Sequence, residues 1–180
     1  VGIARWITDS APVPISNQAF ITIFGGGSVG PIPSLMIWVV VATALAALVM
    51  NKGTFGRHVR ATGGNVVAAA YSGVNTLRIK FTVLLMSGVA ASIAGMLYAG
   101  RLQSGRFQWG TGDELSVIAA VILGGTSLFG GRGAVIGSVV GGILVGLINN
   151  GLILAGLDVS QQQVVRGAII ILAVALSRKK

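Results

Sequence analysis

Long apolar runs alternate along this chain with short stretches that carry its basic residues, and this alternation constrains the fold more tightly than any other feature. The first run is Ser34 to Met50, with Pro31 and Pro33 before it; the second spans about Lys80 to Ala99, flanked by Arg78 and Arg101. A third, Leu115 to Phe129, reaches only roughly 22 Å as a helix, against the ~30 Å hydrocarbon core of a bilayer. It is expected as a half-buried or broken helix shielded by its neighbours. The fourth runs from Ala134 to about Leu157 and the fifth from Val164 to Leu176, short enough to need tilt or protein cover.

Composition agrees with a lipid-facing chain. Charged residues make up 9% and hydrophobic residues 53%, where soluble domains carry about 25% charged. The mean hydropathy is +0.86. A soluble fold with so few charges could not cover its surface with polar groups, whereas a lipid-facing one does not have to. The 28 glycines suit close helix packing in a membrane.

The net charge is +9, and its placement sets a topology. Residues 51–80 carry Lys52, Arg57, Arg60, Arg78 and Lys80 without an acid. Residues 100–114 balance Arg101 and Arg106 against Asp113 and Glu114. The next turn holds Arg132, the one after holds Asp158, and the tail ends Arg178, Lys179, Lys180. Positive charge therefore recurs at every second crossing, which places 51–80, the Arg132 turn and the C-terminus in the cytoplasm and 1–33, 100–114 and 156–163 outside. Basic residues so distributed speak against nucleic-acid binding. The expected fold is all-α, a polytopic membrane bundle of about five transmembrane segments in residues 34–180, preceded by an external loop region over 1–33. Val1 opens in apolar sequence without a signal peptide, as expected of a fragment lacking an N-terminal part.

The loops differ in kind. Residues 8–33 are rich in Pro, Gly, Ser and Asn around an apolar patch at Phe20–Phe24, which suggests an ordered excursion lying against the helices. In the longest cytoplasmic segment Gly53, Gly56 and the Gly63-Gly64 pair are expected to break any helix before Asn65. Asn65 is then a good N-cap and Gly73 a terminator, giving a short helix at about 66–72. Its middle, Val66 to Tyr71, is apolar for a surface facing cytoplasm, and such a patch usually marks a partner. Gly64, Asn65, Ala68, Ala69, Tyr71 and Gly73 are its candidate contact residues, with small residues that let it sit in a groove and Tyr71 as an anchor.

Other residues suggest less. Gly133, Gly137 and Gly141, and again Gly142 and Gly146, recur every fourth position, the spacing that lets another helix backbone approach. Asp113 and Glu114 read as acids at a solvated helix N-terminus. Asn149 and Asn150, in an apolar stretch, must bond to another helix or face a watery path. Gln103, Gln108, Trp109, Glu114, Asn149 and Asn150 are the candidates for a substrate pathway. There is no cysteine and one histidine, His58, so neither multi-His metal sites nor Cys chemistry are available. Gly25 to Gly30 contains a GxGxxG pattern without the strand, helix and acid that a dinucleotide site needs. No Gly-Lys-Ser/Thr occurs, so no nucleotide-binding P-loop is expected here.

Gly56-Arg57-His58-Val59-Arg60-Ala61-Thr62-Gly63-Gly64-Asn65, then Ala68 and Ser72-Gly73-Val74-Asn75, resemble the bacterial ribose/xylose/arabinose permease family of ABC importers. The runs Gly112-Asp113-Glu114-Leu115, Ala119 to Leu128, Gly130-Gly131-Arg132-Gly133 and Gly146 through Leu152 are similar to the same family in the same order, so that the resemblance covers about residues 35–180. It implies a multi-pass permease of the bacterial cytoplasmic (inner) membrane, roughly twice this length and working as a dimer or pseudo-dimer. It also implies two cytoplasmic ATPase domains, which hold the ATP and magnesium, and a periplasmic sugar-binding protein. The cytoplasmic loop would carry a coupling helix that docks on the ATPase, at the position of the 66–72 helix. The family commonly shows Glu-Ala-Ala after the Asn; here Val66-Val67-Ala68 stands instead, so the contact is expected to rest on shape and apolar area. The implied cargo is a pentose or hexose. Permeases for branched-chain amino acids or nucleosides, and a structural membrane subunit with no pathway, are the alternatives.

Overall fold

The computed structural model describes residues 2–9 and 11–177; the basic tail Arg178-Lys179-Lys180 lies outside the described residues. The fold is helical, as expected. In chain order the helices are α1 (Gly2–Ile7), α2 (Gln18–Ile21), α3 (Ser34–Asn51), α4 (Thr54–Gly64), α5 (Val66–Tyr71), α6 (Thr76–Leu102), α7 (Asp113–Leu123), α8 (Val135–Leu154) and α9 (Val159–Ser177). Four two-residue strands form two small antiparallel pairs, Val13–Pro14 with Ser104–Gly105 and Ser28–Val29 with Ile32–Pro33.

Among the described residues three helices are long and apolar enough to cross a membrane: α3, α6 and α8. Helix α6 starts four residues before Lys80 because Asn75 caps it, its side-chain oxygen accepting the Arg78 amide at 3.1 Å. The third apolar segment folds as α7, which has 11 residues and is about 16 Å long. It is too short to cross alone. Its residues Ala119, Ala120 and Ile122 are buried, and it packs on α8 and α9, the shielding such a half-helix needs. The fifth segment begins early, as α9, because Asp158 and Gln161 cap it reciprocally: Asp158 accepts the Val159 amide at 2.8 Å and Gln161 accepts the Asp158 amide at 3.0 Å.

The chain forms two compact units. One combines Val1–Ala44 with Phe81–Thr111, the other Leu45–Lys80 with Gly112–Lys180. In the first, the segment before α3 is ordered and lies against helices, as its apolar patch suggests. Phe24 stacks on Trp38 at 5.6 Å and on Phe20 at 4.9 Å, while the Trp38 indole donates to the Ile23 carbonyl at 2.9 Å. The Ile15 amide donates to the Gln103 carbonyl at 3.0 Å, tying this segment to the end of α6. Residues before Ser34 thus pack together with the first turns of α3 and most of α6.

In the second unit α7 and α8 cross antiparallel. A side chain at Gly137 would overlap the Gly124 carbonyl, and one at Gly141 would overlap the Ala120 carbonyl. Backbone therefore meets backbone at the crossing. Of the spaced glycines, Gly137 and Gly141 make this contact. Gly133 meets only the Thr126 methyl at 3.9 Å, and Gly142 and Gly146 face open space among the described residues.

Gly53 stands between α3 and α4, as the N-cap of α4, but α4 corrects the expectation that Gly56 and Gly63-Gly64 break any helix before Asn65. Internal glycines cost a helix roughly 0.5–1 kcal/mol each relative to alanine, and here close packing uses them. Gly56 is buried where a side chain would collide with the Met50 carbonyl. Arg60 donates from Nη2 to that carbonyl and, at 3.2 Å, to the Asn51 side chain. A cation on the C-terminal carbonyls of α3 complements that helix's dipole and locks the α3–α4 corner.

Candidate coupling site

Helix α5 is short and its ends are closed. The Asn65 side chain accepts the amides of Val67 and Ala68, both at 3.0 Å. At the other end the Gly73 amide reaches the Ala70 carbonyl and the Val74 amide the Ala69 carbonyl, each at 3.0 Å. Gly73 has φ +81°, which a residue without a Cβ adopts at no cost. The Ser72 hydroxyl adds a bond to the Ala68 carbonyl at 2.9 Å.

The helix turns one side inward. Ala69 is 4% exposed, while Val67 is 62% and Tyr71 90% exposed. Of the candidate contact residues, Ala69 is therefore seated in the fold and offers no surface to a partner, whereas Ala68 and Tyr71 do, together with Val66, Val67 and Ala70. Gly64, Asn65 and Gly73 shape the segment from its ends. Six residues in a capped unit thus leave Val66, Val67 and Tyr71 exposed as one apolar patch.

Sequence reasoning missed what lies under this unit. Where α4 ends, Gly63 meets the turn between α7 and α8. A side chain at Gly130 would overlap the Gly63 carbonyl, and one at Gly63 would lie 2.9 Å from the Gly131 nitrogen. The turn is stiffened by its own hydrogen bonds. Ser127 N donates to the Arg132 carbonyl at 3.0 Å, Phe129 N to the Ser127 hydroxyl at 3.2 Å, and Ala134 N to the Thr126 hydroxyl at 3.2 Å. Phe129 itself points away, 76% exposed. The glycine pairs in the two loops were visible signals, but nothing local said that they meet.

The candidate pathway residues are divided between the two units. Gln103 and Trp109 belong to the first unit, where Gln103 has φ +53°, Gln108 is exposed and Trp109 packs edge-on to Tyr98 at 5.8 Å. In the second unit Glu114 accepts the Gly112 amide at 3.0 Å, so it closes the start of α7 as the solvated-acid reading expects. Asn149 lines a small recess with Ser116 of α7 and Ile169 of α9, and Asn150 is exposed. The Ser116 hydroxyl is buried with no hydrogen-bond partner among the described residues. Three or more metal-ligating side chains do not cluster anywhere among the described residues.

Long apolar helices and a half-helix shielded by its neighbours define a polytopic helical membrane protein. The chain belongs to the family described as "Branched-chain amino acid transport system / permease component", which matches residues 2–174. It is 41% identical over 173 residues to the Escherichia coli (strain K12) protein named Probable ABC transporter permease protein YphD, covering 96% of this chain and 52% of that one. It is 38% identical over 180 residues to the Bacillus subtilis (strain 168) Ribose import permease protein RbsC, covering 99% of this chain and 56% of the relative. The L-arabinose transport system permease protein AraH of E. coli (strain K12) is 38% identical over 181 residues, 99% of this chain and 54% of its own. The chain thus spans about half the length of these curated relatives. No solved structure matches.

Proposed function

We propose that this chain forms the membrane-spanning part of a permease that carries a monosaccharide, a pentose or hexose, into the cell across the bacterial inner membrane. The observation that carries this reading is the similarity, along 99% of the chain, to permeases named for ribose and for L-arabinose. ATP and magnesium belong to a separate ATPase subunit, since this sequence has no Gly-Lys-Ser/Thr motif. A sugar-binding protein outside the membrane and a second permease subunit complete the assembly. The ATPase docks on the exposed side of α5, around Val67 and Tyr71. Closing on ATP, it pushes that helix and rocks the membrane helices between outward and inward states.

Uptake of labelled ribose, L-arabinose and leucine by cells expressing the permease carrying this chain, with its ATPase and binding protein, tests the cargo. Saturable uptake of a sugar and none of leucine is expected. The family description favours the second reading, a branched-chain amino acid, and leucine uptake without sugar uptake would establish it. Docking is tested by Val67→Arg and Tyr71→Asp, which should each abolish co-purification of the ATPase without reducing membrane insertion.

A further inference from the structure

We propose that the contact of Gly63 with the Gly130-Gly131 turn is the joint through which motion of the α4–α5 unit reaches helices α7 and α8. This rests on the reading of α5 as the ATPase's docking helix and adds the route by which force leaves it.

Four features of this unit converge. The contact is backbone on backbone: a side chain at Gly130 would overlap the Gly63 carbonyl, and one at Gly63 would sit 2.9 Å from the Gly131 nitrogen. Such a contact has no rotamers to absorb a displacement, unlike one made by side chains. On the input side, α5 follows α4 with Asn65 alone between them, and Asn65 bonds to both: its amide donates to the Ala61 carbonyl and its carbonyl accepts from the Ala69 amide, each at 3.0 Å. On the output side, the turn is braced across its neck by Ser127 and Arg132 and by the Thr126–Ser138 hydroxyl contact at 3.3 Å. Beyond it, α7 and α8 interlock at Gly124, Gly137 and Gly141, so the pair responds as one body. Packed, rigid elements in sequence are what can carry a small shift over distance.

Phe129 supports this division of labour. At 76% exposure most of its ring lies outside the joint, where backbone at Gly63 and Gly64 meets backbone at Gly130 and Gly131. A joint of this kind stays closed while both sides move together.

The test uses the permease carrying this chain, reconstituted in liposomes with its ATPase and binding protein. Gly63→Ala inserts a methyl into the joint. The ATPase should still co-purify and hydrolyse ATP, while sugar moved per ATP falls by about fivefold or more. Gly151→Ala, on α8 with open space around it among the described residues, should leave that ratio unchanged. The ratio is independent of how much protein folds. An unchanged ratio in Gly63→Ala overturns the proposal.

Because that variant can fail to fold, a second arm uses the pair Gly64→Cys with Gly131→Cys. A Cβ at Gly131 would lie 3.1 Å from the Gly64 Cα and one at Gly64 3.7 Å from the Gly131 Cα, so the two positions adjoin and oxidation can be tried between them. Oxidised and reduced forms of the same molecule are compared. The reduced pair must itself transport, and the oxidised form is then expected to transport equally, since the joint stays shut; a pair that transports only when reduced, or in neither form, overturns the proposal. If Val67→Arg and Tyr71→Asp keep the ATPase bound, the docking reading itself fails, which is a separate result from a failed joint.

Discussion

The side-chain oxygen of Asn65 accepts the Ala68 amide at 3.0 Å, and this bond, with its twin to Val67, lets six residues hold a helix that could not persist in isolation. Replacing an Asn cap by Ala costs about 0.5–2 kcal/mol. Asn65→Ala should therefore speed hydrogen exchange at Ala69, whose amide bonds to the Asn65 carbonyl at 3.0 Å, by roughly tenfold. Exchange measured by mass spectrometry over residues 60–75 checks this, and an unchanged rate would mean that packing of Ala69 alone holds the helix.

Whatever a residue signals to its own neighbours was legible in the sequence. The Asn65 cap, the Gly73 terminator, the start of α3 after Pro33 and the short third segment all came through, because each is set by local chemistry or by apolar run length. Helix α4 did not, because glycine's intrinsic cost argued against it and the contacts that outweigh that cost, at Met50 and Gly130, lie elsewhere in the sequence. The same limit hid which glycine series packs. Gly137 and Gly141 share their spacing with Gly142 and Gly146, and only the position of α7 distinguishes them. Ala69 reads as one of three equivalent alanines until the fold turns it inward.

That distinction between glycine series is testable at two adjacent positions. Gly141→Leu drives a side chain into the Ala120 carbonyl, and overpacking of this kind costs about 1–3 kcal/mol. Gly142→Leu meets open space among the described residues and should stay within about 0.5 kcal/mol of the parent. Melting temperatures in detergent should fall for the first variant alone. Equal losses would show that the two faces are packed alike.

Arg60 offers a prediction about the α3–α4 corner. Its guanidinium bonds to the Met50 carbonyl and the Asn51 side chain, and hydrogen bonds to charged groups contribute about 1.5–3 kcal/mol. Arg60→Ala should lower thermal stability by an amount in that range. Arg60→Lys should recover only part, since one ammonium cannot reproduce the planar fork. Arg57→Ala, at an exposed position one turn earlier, should change little. If Arg57→Ala and Arg60→Ala destabilise equally, the effect is general charge and not the corner.

Charge and packing bear independently on the topology. Charge counting places residues 51–80 and the Arg132 turn in the cytoplasm, because both are basic and lack acids. Packing requires that these two loops share a side for a different reason: the Gly63 carbonyl lies where a Gly130 side chain would be, and loops on opposite faces of a ~30 Å hydrocarbon layer cannot touch. Asp158 and Ser160 follow α8, at the far end of a helix of 20 residues, about 30 Å away along its axis, and so belong outside. Charge balance puts Gln108 outside as well. Single cysteines at Thr54, Phe129, Gln108 and Ser160, all exposed in the fold, are labelled with an impermeant maleimide in intact cells and in inverted vesicles. Thr54 and Phe129 should react only in inverted vesicles, Gln108 and Ser160 only in intact cells. Reaction of Thr54 from outside would invert the whole assignment and remove α5 from the reach of the proposed ATPase. Opposite sidedness of Thr54 and Phe129 would break the Gly63–Gly130 contact and with it the joint.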